Sequence, residues 1–350
     1  MKIGIVTQPL RNNYGGLLQN YALQYCLKKL GHDVKTINFI SLHSLFWYLL
    51  STSKQLLISI LKYKRPCIKR YTRSGMAEFI NKYINKTRVV FFYTKKIINE
   101  EHFVAVITGS DQVWRPRYNM FIEDMYLKFV PNNIKKIAYA ASFGTDSWEY
   151  NLRYTKLCAK HSKRLNAISV REVSGIDLCK KYLEIDAQCV LDPTILAGIE
   201  AYQPLLHGKH EENYLFAYIL DMSQEKIKYI KDVAQKKDLK VILQSADTDA
   251  ILSVENWLTM IANASMVITD SFHGTVFSIL FHRDFYSILN NSRGGTRFAS
   301  LLTPLGLECR SGDTLQLQHS RSTAIDWGKV DRILAIQRKK SINFLINSLL

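Results

Sequence analysis

Apolar positions in this chain fall into short runs that alternate with longer stretches of helical spacing. "KIGIVT" (2–7) is too short for a helix and apolar on both faces, as expected of a strand buried in a parallel sheet. A polar loop, "QPLRNNYGG", follows. "LLQNYALQYCLKKLG" (17–31) then carries apolar residues at helical spacing and ends on Gly31, a residue suited to a helix C-cap. "DVKTINF" (33–39) is the next strand. A strand, a helix and a strand in that order predict a βαβ unit and a parallel sheet. Further strands are expected at "FVAVITG" (103–109), "KKIAYAAS" (135–142), "AISV" (167–170) and "QCVLDPT" (188–194), the last stopped by its proline. Helical patterns lie around 152–165 and over 171–183.

The periodicity dissolves over 198–213, where Gly, Pro and charged residues accumulate, and a domain boundary belongs there. The same alternation then resumes. Strands are expected at 214–220, 240–244, 265–269 and 285–289, and helices near 223–237, 254–264 and 273–283. The tail from Asp326 reads as one amphipathic helix. The pattern thus predicts an α/β fold: a first Rossmann-like domain over 1–197, a linker over 198–213, and a second Rossmann-like domain over 214–350 that carries the tail helix. Two such domains face each other across a cleft. Ligands of doubly wound sheets bind beyond the C-terminal ends of the strands, so the chemistry is sought just after them.

Composition narrows the partners. The 350 residues suit two domains, and 47% hydrophobic with 22% charged residues is an ordinary globular balance. The net charge of +17, from 47 Lys and Arg against 30 Asp and Glu, favours an anionic partner: nucleic acid, a membrane surface or an anionic substrate. No nucleic-acid module is recognisable and the basic residues are dispersed, so no nucleic-acid partner is expected. The six cysteines form no CxxC pair, which points to a reducing cytoplasm and to no zinc site. "MKIGIVTQPL" is interrupted too early for a signal peptide, and no uninterrupted apolar run reaches the ~20 residues of a membrane span. One exception to dispersed charge is 62–73, "KYKRPCIKRYTR", which follows the apolar, interrupted stretch 39–61. That combination fits a surface lying on an anionic membrane, and equally an insertion packed on the first domain with a solvated basic face.

Four strand ends carry candidate chemistry. After 2–7, Asn13, Tyr14, Gly15 and Gly16 form either a tight turn or a loop whose N–H groups approach an anion or acceptor. After 103–109, Ser110 and Asp111 could cap a turn, and Asp111 could equally accept a proton or hold a sugar hydroxyl. After 167–170, Arg171 suits a bidentate clamp on a carboxylate or phosphate, or a surface ion pair. After 265–269, "TDSFHGT" offers Asp270 or Ser271 as a cap, with His273 and Gly274 in the first helical turn. Further on, "NSRGGTRF" (291–298) supplies Arg293 and Arg297, as anion donors or as a basic loop.

Five blocks, "NNYGGLLQNYALQ", "VITGSDQVW", "SVRE", "VLDPT" and "VITDSFHGTVFSILF", resemble in order and separation those of the polysaccharide pyruvyl transferase family. The resemblance runs from Lys2 through "RFASLLTPLGLECR" (297–310) into the final helix. It implies a GT-B-like fold and transfer of the enolpyruvyl unit of phosphoenolpyruvate to a sugar of a surface polysaccharide or its lipid-linked precursor, closing a ketal. It implies phosphoenolpyruvate as co-substrate, no separate cofactor and no metal. By the same resemblance Arg171 binds the donor and His273 acts as general acid or phosphate contact. Several family members carry Arg-Leu-His where this chain has Ser271, Phe272 and His273, so Arg293 or Arg297 is expected to replace the guanidinium absent at Ser271. The competing expectation is a GT-B glycosyltransferase with a nucleotide-sugar donor, which the fold alone does not separate from the first.

Overall fold

A computed structural model of the protein describes residues 1–42, 45–46, 48–51, 53, 72–208, 213–245, 252–289, 294–319 and 323–350. Its first unit is built on seven parallel strands: β1 (Lys2–Val6), β2 (Asp33–Phe39), β3 (Lys86–Val90), β4 (Ala105–Gly109), β5 (Lys135–Ala141), β6 (Ala167–Val170) and β7 (Gln188–Cys189). They lie in the order β3-β2-β1-β4-β5-β6-β7. Helices α1 (Tyr14–Lys29), α2 (Ser74–Tyr83), α3 (Lys95–Glu101), α4 (Leu152–Ser162), α5 (Ser174–Leu178) and α6 (Pro193–Leu196) connect them. The second unit has five parallel strands, β8 (Tyr214–Ile219), β9 (Lys240–Ser245), β10 (Met266–Thr269), β11 (Asp284–Ile288) and β12 (Ser311–Gly312), in the order β12-β11-β10-β8-β9. Its helices are α7 (Gln224–Lys236), α8 (Val254–Asn263), α9 (Phe272–Leu280), α10 (Thr296–Leu302), α11 (Thr314–His319) and α12 (Trp327–Leu349). This is the expected GT-B-like α/β architecture of two parallel sheets.

Strand order reverses between β1 and β4 in the first sheet, and between β8 and β10 in the second. Such switch points open a crevice at the strand C-termini. The loops before α1, after β4 and after β10 therefore stand where a ligand would enter. Helix α1 begins three residues before the expected start, because Asn13 caps it by accepting from Gly16 N–H (3.1 Å). Two of its buried amides bond to the sheet: Gln19 Nε2 donates to Thr7 Oγ1, and Gln24 Nε2 to Thr36 Oγ1, both at 2.8 Å. β7 is shorter than expected. Asp192 leaves the strand path to cap α6, accepting from Thr194 N–H (2.9 Å), and Pro193 opens that helix.

One apolar core runs between the two units. Tyr14 of the first unit stacks on Trp257 of the second (centroids 4.8 Å, 11°) and meets Tyr218 edge-on at 5.7 Å. Its hydroxyl donates to the Leu252 carbonyl (2.6 Å). The tail helix α12, read from sequence with the second unit, lies back against the first. Lys135 Nζ donates to Leu349 O (2.9 Å), Arg338 Nε to Ile195 O (2.8 Å), and Ser341 Oγ accepts from Leu191 N–H (3.0 Å).

Most of the apolar and basic stretch 39–73 lies outside the described residues. Of its described side chains, Leu42, Phe46, Leu49 and Leu50 are exposed. Among the described residues no helix is long and apolar enough to cross a membrane.

Candidate active site

The centre of the site is a carboxylate. Asp192 is buried, and Arg171, Ser110 and Thr194 donate to it. Its Oδ2 accepts from Arg171 Nη1 (2.6 Å) and Ser110 Oγ (2.8 Å), and its Oδ1 from Thr194 N–H (2.9 Å) and Oγ1 (2.6 Å). Burial alone would raise this carboxyl. His273, Arg171 and Thr194 outweigh burial and hold it well below the usual carboxylate range.

Arg171 leaves β6 and is buried with Asp192. Its Nε and Nη2 make no hydrogen bond. Glu172 Oε2 stands 4.0 Å from Nε and Asp111 Oδ1 4.0 Å from Nη2, both beyond hydrogen-bond reach. Glu172 is fixed elsewhere: its Oε1 accepts from Ser142 Oγ, Phe143 N–H and Gly144 N–H. The second guanidinium is Arg297, on α10 of the other unit. Arg171 and Arg297 both lie against the Phe272 ring, at 4.8 and 5.4 Å. Burial, with Arg171 nearby, pulls Arg297 down to about 10. Both guanidinium groups line one cavity of about 250 Å³ between the units, together with Asp192, Phe272, Ser300 and the exposed Lys340.

His273 stands in the first turn of α9, as expected, yet the first unit encloses it. Its Nε2 lies 3.8 Å from Asp192 Oδ2 and makes no hydrogen bond. Its Nδ1 faces Gly15: a Cβ on Gly15 would fall 2.0 Å from that atom. Gly15 is glycine because the imidazole of the other unit occupies its side-chain space. Ser110 and Asp111 adopt left-handed backbone (φ 31° and 57°), a conformation costly for non-glycine residues. That turn sets Ser110 on Asp192, and leaves Asp111 half-buried, its Oδ1 accepting from Gln112 N–H (2.9 Å).

The structure therefore brings Ser110, Asp111, Arg171, His273 and Arg297 together with Gly15. Ser271 is the N-cap of α9, accepting from Gly274 N–H (3.3 Å). Gly274 packs against the strand, where a Cβ would meet Thr269 Oγ1 at 2.5 Å. Neither points to a ligand here. Asn13 and Gly16 bond each other, and Tyr14 is spent on the seam between the units. Arg293 lies outside the described residues. Asp270 bonds Leu220 N–H, Asp221 N–H and Lys226 Nζ, tying the loops after β8 and β10 together. Sequence reasoning missed Asp192, Glu172 and Phe272 as members of the site. Asp192 lies in "QCVLDPT", which the pattern reads as a strand stopped by its proline, whereas Asp192 caps the helix that Pro193 opens.

A family model described as polysaccharide pyruvyl transferase matches residues 13–292. Solved structures share the fold over the whole chain. The UDP-GlcNAc 2-epimerase of Methanocaldococcus jannaschii is 12% identical, with a TM-score of 0.51 over 100% of this chain and 99% of that one. That of Neisseria meningitidis is 9% identical, with a TM-score of 0.52 over 100% and 99%. The enzyme of Rickettsia bellii is 7% identical, with a TM-score of 0.51 over 99% and 96%. At such identities the likeness shows the fold alone. No curated protein sequence matches the chain.

Proposed function

We propose that this chain, which belongs to the polysaccharide pyruvyl transferase family, takes its pyruvyl group from phosphoenolpyruvate held by Arg171 and Arg297. That it is a transferase acting on polysaccharide follows from the family; the donor and the residue roles are our reading. One observation carries it: two buried guanidinium groups, one from each unit, line a single small cavity, and Arg171 has two N–H edges unbonded. A buried guanidinium with open donors, beside a second one in the same cavity, favours a ligand with carboxylate and phosphate oxygens. Arg297 then supplies the second guanidinium that Ser271 does not.

In this reading His273 gives a proton to the methylene carbon of the donor, which makes C2 electrophilic. Asp111 takes the proton of a sugar hydroxyl, whose oxygen bonds to C2. The C2–O bond to phosphate breaks and inorganic phosphate leaves. A second hydroxyl of the sugar then closes the ketal, its proton passing to phosphate. The acceptor is a surface polysaccharide sugar or its lipid-linked precursor. The exposed Leu42, Phe46, Leu49 and Leu50, followed later in the sequence by the basic residues 62–73, support a peripheral contact with the anionic inner face of the cell membrane, with the protein cytoplasmic.

Thermal melting with phosphoenolpyruvate, and separately with UDP- and GDP-sugars, tests the donor. A ligand present at a hundred times its Kd adds ~2.7 kcal/mol to stability, so the true donor raises the Tm. A rise with phosphoenolpyruvate alone supports the reading. A rise with a nucleotide sugar alone replaces it with the glycosyltransferase alternative. Sedimentation with anionic liposomes at low salt tests the membrane contact, and protein that stays in solution refutes it.

A further inference from the structure

At one edge of the first sheet, β2 and β3 run out at the same end into exposed apolar residues. The two strands are parallel and paired, and Ile40 N–H donates to Val90 O (2.9 Å) where they finish. Leu42 and Phe46 follow β2 and are exposed. Phe91 and Phe92 follow β3 and are 41% and 57% exposed. The loop that carries them is held firmly. Its next residue, Tyr93, is buried: the ring stacks on Phe39 (4.7 Å) and on Phe129 (5.1 Å), and the hydroxyl donates to the Thr7 carbonyl (3.5 Å). Tyr93 thus anchors the loop in the core while the two phenylalanines stay outside it. An exposed apolar patch of this kind, rimmed by charge, marks a surface for a membrane or a partner.

The rim is basic. Arg88, Lys95 and Lys96 are exposed on either side of the phenylalanines, and Lys35 stands on the neighbouring strand. Two carboxylates offset part of this charge. Glu100 pairs with Arg88 (2.8 Å) and Lys96 (3.7 Å), and Glu101 pairs with Lys35 (2.8 Å). The candidate active site opens at the same end of the sheet. All its strands are parallel, so the loops bearing Gly15, Ser110 and Arg171 leave it on the side of Phe91 and Phe92.

We infer that the loop after β3 is a membrane-insertion tip: Phe91 and Phe92 enter the acyl boundary of an anionic bilayer, with Arg88, Lys95 and Lys96 at its headgroups. The inference rests on the proposed membrane contact and deepens it. It adds a contact outside 39–73, and it turns the strand ends that bear the site toward the bilayer, the side from which a lipid-linked acceptor arrives. A second copy of the chain could also cover such an edge. Lys86 and Arg88, charged residues on the edge strand itself, oppose pairing with another strand but suit anionic lipid.

The test is sedimentation of the full chain at low salt with vesicles of equal parts phosphatidylcholine and phosphatidylglycerol. The wild type is compared with a Phe91→Ser and Phe92→Ser double variant and with a Lys95→Gln and Lys96→Gln double variant, each checked by a thermal melt. All four side chains are exposed, so both variants should melt with the wild type, and the lysine pair carries the test if the serine pair does not fold. Vesicle affinity should fall about tenfold or more in the serine variant and about fivefold for each lysine removed. Unchanged affinity in a folded variant overturns the inference while leaving the contact to residues 39–73. A wild type that stays in solution overturns the inference and the membrane contact together. Sedimentation velocity without vesicles addresses the second copy: a wild-type dimer that the serine variant turns into a monomer makes the loop a subunit interface and overturns the inference.

Discussion

Replacing Gly15 by alanine separates the proposed site geometry from ordinary helix energetics. Gly15 lies inside α1, and alanine in an exposed helix interior is favoured over glycine by ~1 kcal/mol. Helix propensity alone therefore predicts a more stable protein. The structure predicts the opposite. The new Cβ would fall 2.0 Å from His273 Nδ1 and 2.6 Å from two ring carbons, against a contact distance of about 3.5 Å. The ring must move, and overpacking of this kind typically costs ~1–3 kcal/mol. Set against the helix gain, Gly15→Ala should lose up to ~2 kcal/mol and melt several degrees lower. Displacing a proton donor loses on the order of 10²–10⁴ in rate, so donor-dependent phosphate release should fall by about 10² or more. The decisive comparison uses His273→Ala as the background, where the clash is gone. There the alanine at position 15 should be neutral or stabilising, giving a coupling of ~1–3 kcal/mol between the two positions. Thermal melts of the four proteins measure it. Equal effects of Gly15→Ala in both backgrounds would show that the imidazole does not occupy the glycine's space.

Five further outcomes follow from the same geometry. His273→Ala should fold and lose donor-dependent transfer, read by phosphate release beside a normal melt. Arg171→Ala, by contrast, should lose ~3–5 kcal/mol because it leaves Asp192 buried and uncompensated. Arg171→Lys keeps the charge and is the better probe: it should fold and bind phosphoenolpyruvate more weakly, measured by calorimetry. Asp192 sits below its ordinary value of 3.8, so its stabilising contribution is whole above about pH 4 and is lost as pH falls through the lowered value. Acid unfolding curves should therefore steepen below pH 4 in the wild type and less so in Asp192→Asn. Tyr14→Phe removes the bond to the Leu252 carbonyl but keeps the stack on Trp257, and should lose ~1 kcal/mol without changing turnover.

The strands and the main helices were legible because parallel strands buried on both faces read as unbroken apolar runs. β2 and β6 fall where the pattern places them, at Asp33–Phe39 and Ala167–Val170. β3 was not legible, since "KTRVV" at the sheet edge is three polar residues followed by two valines and lacks such a run. The start of α1 was misplaced because its cap, Asn13, precedes two glycines, which read as loop. The position of His273 after β10 was clear from sequence; its surroundings were not. That Gly15 makes room for it, and that Asp192 stands beside it, depend on how two units pack, and packing between distant segments leaves no local pattern. Tyr14 shows the same limit from the other side. An aromatic beside two glycines looked like part of a binding loop, yet its ring is consumed in the core between the units.

The claim that two guanidinium groups await phosphoenolpyruvate is tested most directly by calorimetric titration of that ligand into the wild type and into Arg297→Gln, with UDP-GlcNAc as comparison. The account predicts saturable binding of phosphoenolpyruvate to the wild type, at least tenfold weaker binding to Arg297→Gln, and none of UDP-GlcNAc. Saturable binding of UDP-GlcNAc with no heat from phosphoenolpyruvate, or equal phosphoenolpyruvate affinity in both proteins, would contradict it.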